Sequence, residues 1–181
     1  KPLVPTKLSK DGGGCNRGQA KGSRWTGPGI PGNVADSFKR AGQMTESRYF
    51  RDYPGKTGDR TLFKMLHYLE IYDELLAPWQ GRDVNFLEIG IYKGGSMPMW
   101  QGFFGQGAKL TFLDINPACR ALELPGTRVE IGDQSDPAFL QKIGTDHGPF
   151  DLIVDDGGHK MHHQITSFRE LWPKLKDRGL Y

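Results

Sequence analysis

From residue 61 onward, short apolar runs alternate with stretches of helical periodicity, and this alternation limits the possible folds more than any other feature of the chain. Residues 84–89, 110–114, 128–131 and 150–154 read as buried strands. Residues 96–104, 117–122, 137–143 and 161–171 read as the helices between and after them. Ahead of the first strand, Leu62, Leu66, Leu69, Tyr72 and Leu76 recur at helical spacing and predict an amphipathic lead-in helix over 61–77, ended by Pro78. Strands separated by single helices must run parallel, because each crossover returns the chain to the same end of the sheet. The expected class is therefore α/β, a parallel sheet covered on both faces. Ligands of such sheets bind beyond the carboxyl ends of the strands. The residues that follow each strand are thus the candidates for function.

The first part of the chain has a different character. Residues 1–33 hold eight glycines and four prolines, and residues 1–60 carry 12 basic against 5 acidic groups. Such a segment buries too little apolar area to offset its ordering entropy. The reading is a basic, irregular arm over 1–55 and an α/β domain over 56–181, with Trp25 and Ile30 as the arm's docking points. The net charge of +3 excludes a strongly basic nucleic-acid binder. No run approaches the roughly 20 apolar residues of a membrane helix. Cys15 and Cys119 have no C-x-x-C spacing, which points to reduced thiols in an intracellular compartment, cytoplasmic or organellar rather than secreted.

Every strand ends in chemistry. The first runs Glu88-Ile89-Gly90 and continues to Lys93-Gly94-Gly95-Ser96, where glycines let the backbone turn tightly before a helix begins. The dinucleotide fingerprint G-x-G-x-x-G is absent, which disfavours a nicotinamide-dependent oxidoreductase. The second strand ends at Asp114, placed to accept both ribose hydroxyls of an adenosine cofactor. After the third come Asp133 and Gln134, either of which can meet an adenine edge, while Asp136 caps the next helix. The fourth delivers Asp155-Asp156-Gly157-Gly158-His159. Two adjacent carboxylates repel unless a cation or donor intervenes, and oxygen ligands of this kind suit Mg²⁺. His159 is near enough to act as general base. His162 and His163 read as a polar face at the start of the next helix.

Together, Glu88…Gly90…Gly94-Gly95-Ser96, Asp114, Gly132-Asp133-Gln134-Ser135 and Asp155-Asp156-Gly157-Gly158-His159 resemble the metal-dependent O-methyltransferases of macrolide sugars. They also resemble the related rhamnosyl O-methyltransferase and cephalosporin hydroxylase group. The resemblance covers residues 56–181. It implies a Rossmann-like sheet of the class I methyltransferase type, here ending after the fourth strand. It implies S-adenosylmethionine (SAM) across the strand ends, served by Glu88, Gly90, Gly94, Ser96, Asp114, Asp133, Gln134 and Asp155. It further implies Mg²⁺ on Asp156, His159 as the base, and a hydroxyl of a sugar-like or other small polyol as methyl acceptor. In that group the other metal carboxylates come from a Glu-Asp pair ending the next strand, and the sequence stops at Tyr181 before such a pair. A second reading follows: a methyltransferase-like structural subunit of a larger assembly or oligomer, joined through its arm and open sheet edge.

Overall fold

The computed structural model describes residues 48–181; the expectations about the arm up to residue 47, including Trp25 and Ile30, lie outside the described residues. A two-residue hairpin, β1 (Lys56–Thr57) and β2 (Arg60–Thr61), leads to helix α1 (Leu66–Leu76). Then follow β3 (Asn85–Ile89), α2 (Ser96–Phe103), β4 (Lys109–Asp114), a 3₁₀ segment (Pro117–Leu122) and β5 (Thr127–Ile131). The chain continues through α3 (Pro137–Asp146), β6 (Phe150–Asp155), α4 (Met161–Leu171) and β7 (Leu175–Leu180). The larger sheet has the order β5-β4-β3-β6-β7, and every neighbouring pair in it is parallel. From β3 the chain winds outward through β4 to β5. It then crosses back to lay β6 on the other side of β3, so the strand order reverses there. Such a reversal opens a crevice at the carboxyl ends of the strands.

Alternation along the strands divides the core in two. On one face Phe86, Phe112, Val129 and Leu152 pack with Leu69 and Leu76 of α1, Trp100 and Phe103 of α2, and Phe50. On the other, Leu87, Ile89, Leu113 and Ile153 pack with Leu140 and Ile143 of α3 and Leu171 of α4. Glu88 shares the side of Phe86, so its carboxylate enters a fully buried layer. Ser96, Asp136 and Asn116 mark helix starts as expected, and the Asp136 and Asn116 side chains accept amides of their first turns.

Three features depart from the sequence reading. The packed body starts before residue 56. Phe50 is 0% exposed, and the buried carboxylate of Asp73 accepts the amides of Phe50 at 2.9 Å and Arg51 at 3.1 Å. The lead-in helix begins at Leu66 rather than 61. Residues 61–64 instead cross the glycine-rich turn, with Thr61 bridged to Gly94. Finally, β7 adds a fifth strand beyond the four read from the sequence, paired to β6 through an irregular register. Its exposed centre, Lys176-Asp177-Arg178, has none of the apolar alternation that marks a strand.

Candidate functional site

At the crevice lies a cavity of about 540 Å³, within the ~300–1,000 Å³ typical of small-molecule sites. Its floor is the ends of β3, β4, β5 and β6. Gly90, Ser96, Asp114, Asp133, Gln134, Asp156 and His159 all line it. Seven of the residues singled out from sequence therefore converge on one space. Glu88, Gly94 and Asp155 do not line it, and each has a different task.

Gly90 shows why this turn is built as it is. Its φ is +96°, and a Cβ there would lie 2.3 Å from the Asp156 carbonyl oxygen. Only glycine lets the end of β3 pass this close to the end of β6. Gly95 does the same for the strap over residues 61–64: a Cβ would meet Leu62 N and Thr61 C at 2.2 Å.

Asp114 is already engaged by the protein. Its Oδ2 accepts the amides of Ile91 at 2.8 Å and Tyr92 at 3.2 Å, and its Oδ1 accepts that of Asn116 at 2.9 Å. A carboxylate offers about four acceptor positions, and these amides take three of them. Asp133 accepts the Ser135 amide at 2.7 Å, and hydrogen bonds from Ser135 hold its carboxyl below the usual range. Gln134 is a brace. Its Nε2 donates to Ser167 Oγ at 2.9 Å and Asp155 Oδ1 at 3.2 Å, while its Oε1 accepts the Gly158 amide. Both ends of that amide are thus occupied by protein partners.

Asp155 faces away from the cavity. Its Oδ2 accepts the Tyr181 hydroxyl at 3.2 Å; burial first, then the Asp155 charge, push that phenol above its ordinary range. The two carboxylates therefore do not share a cation. Asp156 Oδ2 instead meets Lys64 Nζ at 2.6 Å, and the same ammonium lies 2.9 Å from Glu88 Oε1. The Glu88 contact is an ion pair off the hydrogen-bonding angle, since Oε1 has no hydrogen-bond partner. Glu88 Oε2 accepts the Ser96 hydroxyl at 2.6 Å. Burial alone would lower the Lys64 pKa, but Glu88 and Asp156 more than offset it and raise the group above its ordinary value.

His159 is exposed at the cavity rim. His163, expected on a polar helix face, also lines the cavity and packs on Gly158, its buried Nδ1 without a hydrogen-bond partner. Sequence reasoning also missed Lys64. The available signal was a lone lysine inside the apolar run Leu62-Phe63-Lys64-Met65-Leu66. Helical periodicity assigned it to solvent, but the strap turns it inward.

The described residues do not by themselves assemble a Mg²⁺ site. Asp156 is paired with an ammonium, and among the described residues no three His, Cys, Asp or Glu side chains gather into a metal-binding group. For SAM the donor set fits better. A preformed cavity offers the Asp114 carboxylate, an ionised Asp133 and a glycine-lined turn.

Comparison with known proteins supplies the remaining context. Demethylmacrocin O-methyltransferase of Streptomyces fradiae is 39% identical over 117 residues, 61% of this chain and 29% of that protein. Mycinamicin VI 2''-O-methyltransferase of Micromonospora griseorubida is 39% identical over 127 residues, 66% of this chain and 31% of that protein. A methyltransferase from the mycinamycin biosynthetic pathway, MycE, was solved in complex with Mg, S-adenosylhomocysteine (SAH) and mycinamycin VI. It superimposes with a TM-score of 0.59 at 34% identity, over 65% of this chain and 34% of that one. The chain thus spans about a third of the length of these relatives. Residues 87–181 match the family model described as a methyltransferase domain, and by that match, with its parallel sheet and cavity, the chain belongs to the methyltransferase domain family.

Proposed function

We propose that this chain carries the cofactor-binding part of a SAM-dependent O-methyltransferase acting on a hydroxyl of a sugar-like acceptor. The observation that carries the reading is the single cavity into which Gly90, Asp114, Asp133, Asp156 and His159 converge. The relatives' names add the acceptor class, since they include a methyltransferase for a rhamnosyl tetracenomycin as well as those for macrolides.

When bound, the cofactor supplies an electrophilic methyl group. The chain's part is to orient, to exclude water and to move one proton. Asp114 Oδ1 takes one ribose hydroxyl and Asp133 the adenine amine. Ser96 and the buried Glu88 shape the turn beneath the amino-acid end. Phe63, Tyr92 and Ile115 line the cavity and are exposed, so they dry its mouth when ligand enters. His159, free at the rim, accepts the proton that the acceptor hydroxyl loses. No step in this reading runs through a metal.

Calorimetric titration with SAH tests it. The chain binds SAH, and Asp114→Ala loses about 1.5–3 kcal/mol, the scale of a hydrogen bond to a charged group. His159→Ala keeps SAH affinity, and methyl transfer to a glycosidic acceptor falls by roughly 10²–10⁴. Absence of SAH binding by the unaltered chain would favour the structural-subunit reading instead.

A further inference from the structure

The ammonium of Lys64 occupies a distinctive place. Its side chain is 2% exposed and lies between a wholly buried carboxylate, Glu88, and one at the cavity wall, Asp156, which is 23% exposed. Tyr72 closes the site on another side, its ring centroid 5.9 Å from Nζ. A buried charge persists only when paired. Glu88 has its second oxygen on Ser96, so its remaining negative charge depends on Lys64. The strap that holds the lysine is itself fixed, by the Thr61–Gly94 bridge and by the Leu62 amide on the Gly55 carbonyl at 2.9 Å.

We propose that Lys64 is the resident counter-cation of Asp156, so that a divalent ion gains this carboxylate only by displacing the lysine. The sequence suggests a divalent ion between Asp155 and Asp156. The fold separates those two carboxylates and supplies a covalently attached monovalent cation to the second. A dication beside Asp156 would lie within a few ångströms of a like charge in a partly dry pocket, where such repulsion is strong. The ammonium cannot move away without leaving Glu88 buried and unpaired. Glu88 and Asp156 thereby act together: one fixes the lysine, and the lysine neutralises the other. Lys64 is a positioning residue in this arrangement, acting on the cavity through Asp156.

The test is Mn²⁺ binding to the full 181-residue chain without cofactor, followed by the electron paramagnetic resonance signal of free Mn²⁺. It is therefore independent of whether SAM binds or methyl transfer occurs. The unaltered chain shows no saturable site that Asp156→Asn removes. Removing both buried charges together, in Lys64→Met/Glu88→Gln, frees Asp156 without stranding a carboxylate. That variant binds Mn²⁺ roughly tenfold tighter or more, and adding Asp156→Asn abolishes the gain. Three results overturn the proposal: an Asp156-dependent Mn²⁺ site in the unaltered chain, no gain in the double variant, or a gain that survives Asp156→Asn. If the double variant fails to melt cooperatively, the comparison of the unaltered chain with Asp156→Asn still decides the matter. Loss of a Mn²⁺ site on that single change means that a metal, not Lys64, partners the carboxylate.

Discussion

Most polar side chains around the cavity answer first to the protein. Asp114 is held by three backbone amides, Gln134 by both ends of its amide, and Glu88 by a serine and a lysine. Each is fixed before a ligand arrives, which lowers the ordering cost of binding. Cys119 extends this logic. It is buried on the cavity wall, and burial, then the negative charge of Asp114, push its thiol up from 9.0 to about 11. The folded chain therefore keeps a proton that the unfolded chain loses, so stability falls as pH rises from about 9 to about 11. Urea midpoints measured across that range should decline, and the decline should be shallower in Cys119→Ser. Parallel curves for the two proteins would show that the thiol is not linked to folding.

Helix α1 is tied to the segments that precede it. Asp73 of α1, only 3% exposed, takes the amides of Phe50 and Arg51 and the Arg51 guanidinium at 3.0 Å. This draws Phe50 into the aromatic cluster with Tyr72, Trp100 and Phe103. The same helix follows directly on the strap that carries Lys64. Asp73→Ala removes the acceptor of buried donors, so it should cost about 1–3 kcal/mol in denaturant unfolding. A change below a few tenths of a kcal/mol would mean that residues 48–53 hold their place by aromatic packing alone.

The described body leaves an apolar surface uncovered along α4. Met161, Ile165 and Phe168 of α4, with Trp172 just after it, recur at helical spacing and are each roughly half exposed or more; the Phe168 ring lies tilted against Trp172 and edge-on to Tyr181. Beside them β7 ends the sheet order. Among the described residues no helix is long and apolar enough to cross a membrane. Ile165 packs on neither core cluster, so Ile165→Lys should change the unfolding free energy by no more than about 0.5 kcal/mol. A loss well beyond that would show that another surface covers this face in the folded protein.

By itself the sequence determined the parallel α/β class, the succession of β3 to β6 along the chain, and the strand ends as the place for function. Period and punctuation are local properties, and apolar runs that stop at glycine or aspartate record them directly. Gly90, Asp114, Asp133, Asp156 and His159 could be gathered into one site before any coordinates, because topology alone brings strand ends together. Only the tertiary structure decided what each of them touches. Helical spacing continues unbroken from Leu62 to Leu76, yet the Thr61–Gly94 bridge holds the first turn extended and swings Lys64 inward. Asp155 and Asp156 are adjacent in sequence, yet they meet different partners, one Tyr181 and the other Lys64. Polar β7 became a strand through pairing with β6, and Phe50 became core through a carboxylate 23 residues away. Partners of this kind lie far off along the chain, and no local pattern encodes which distant charge or backbone edge a residue will meet.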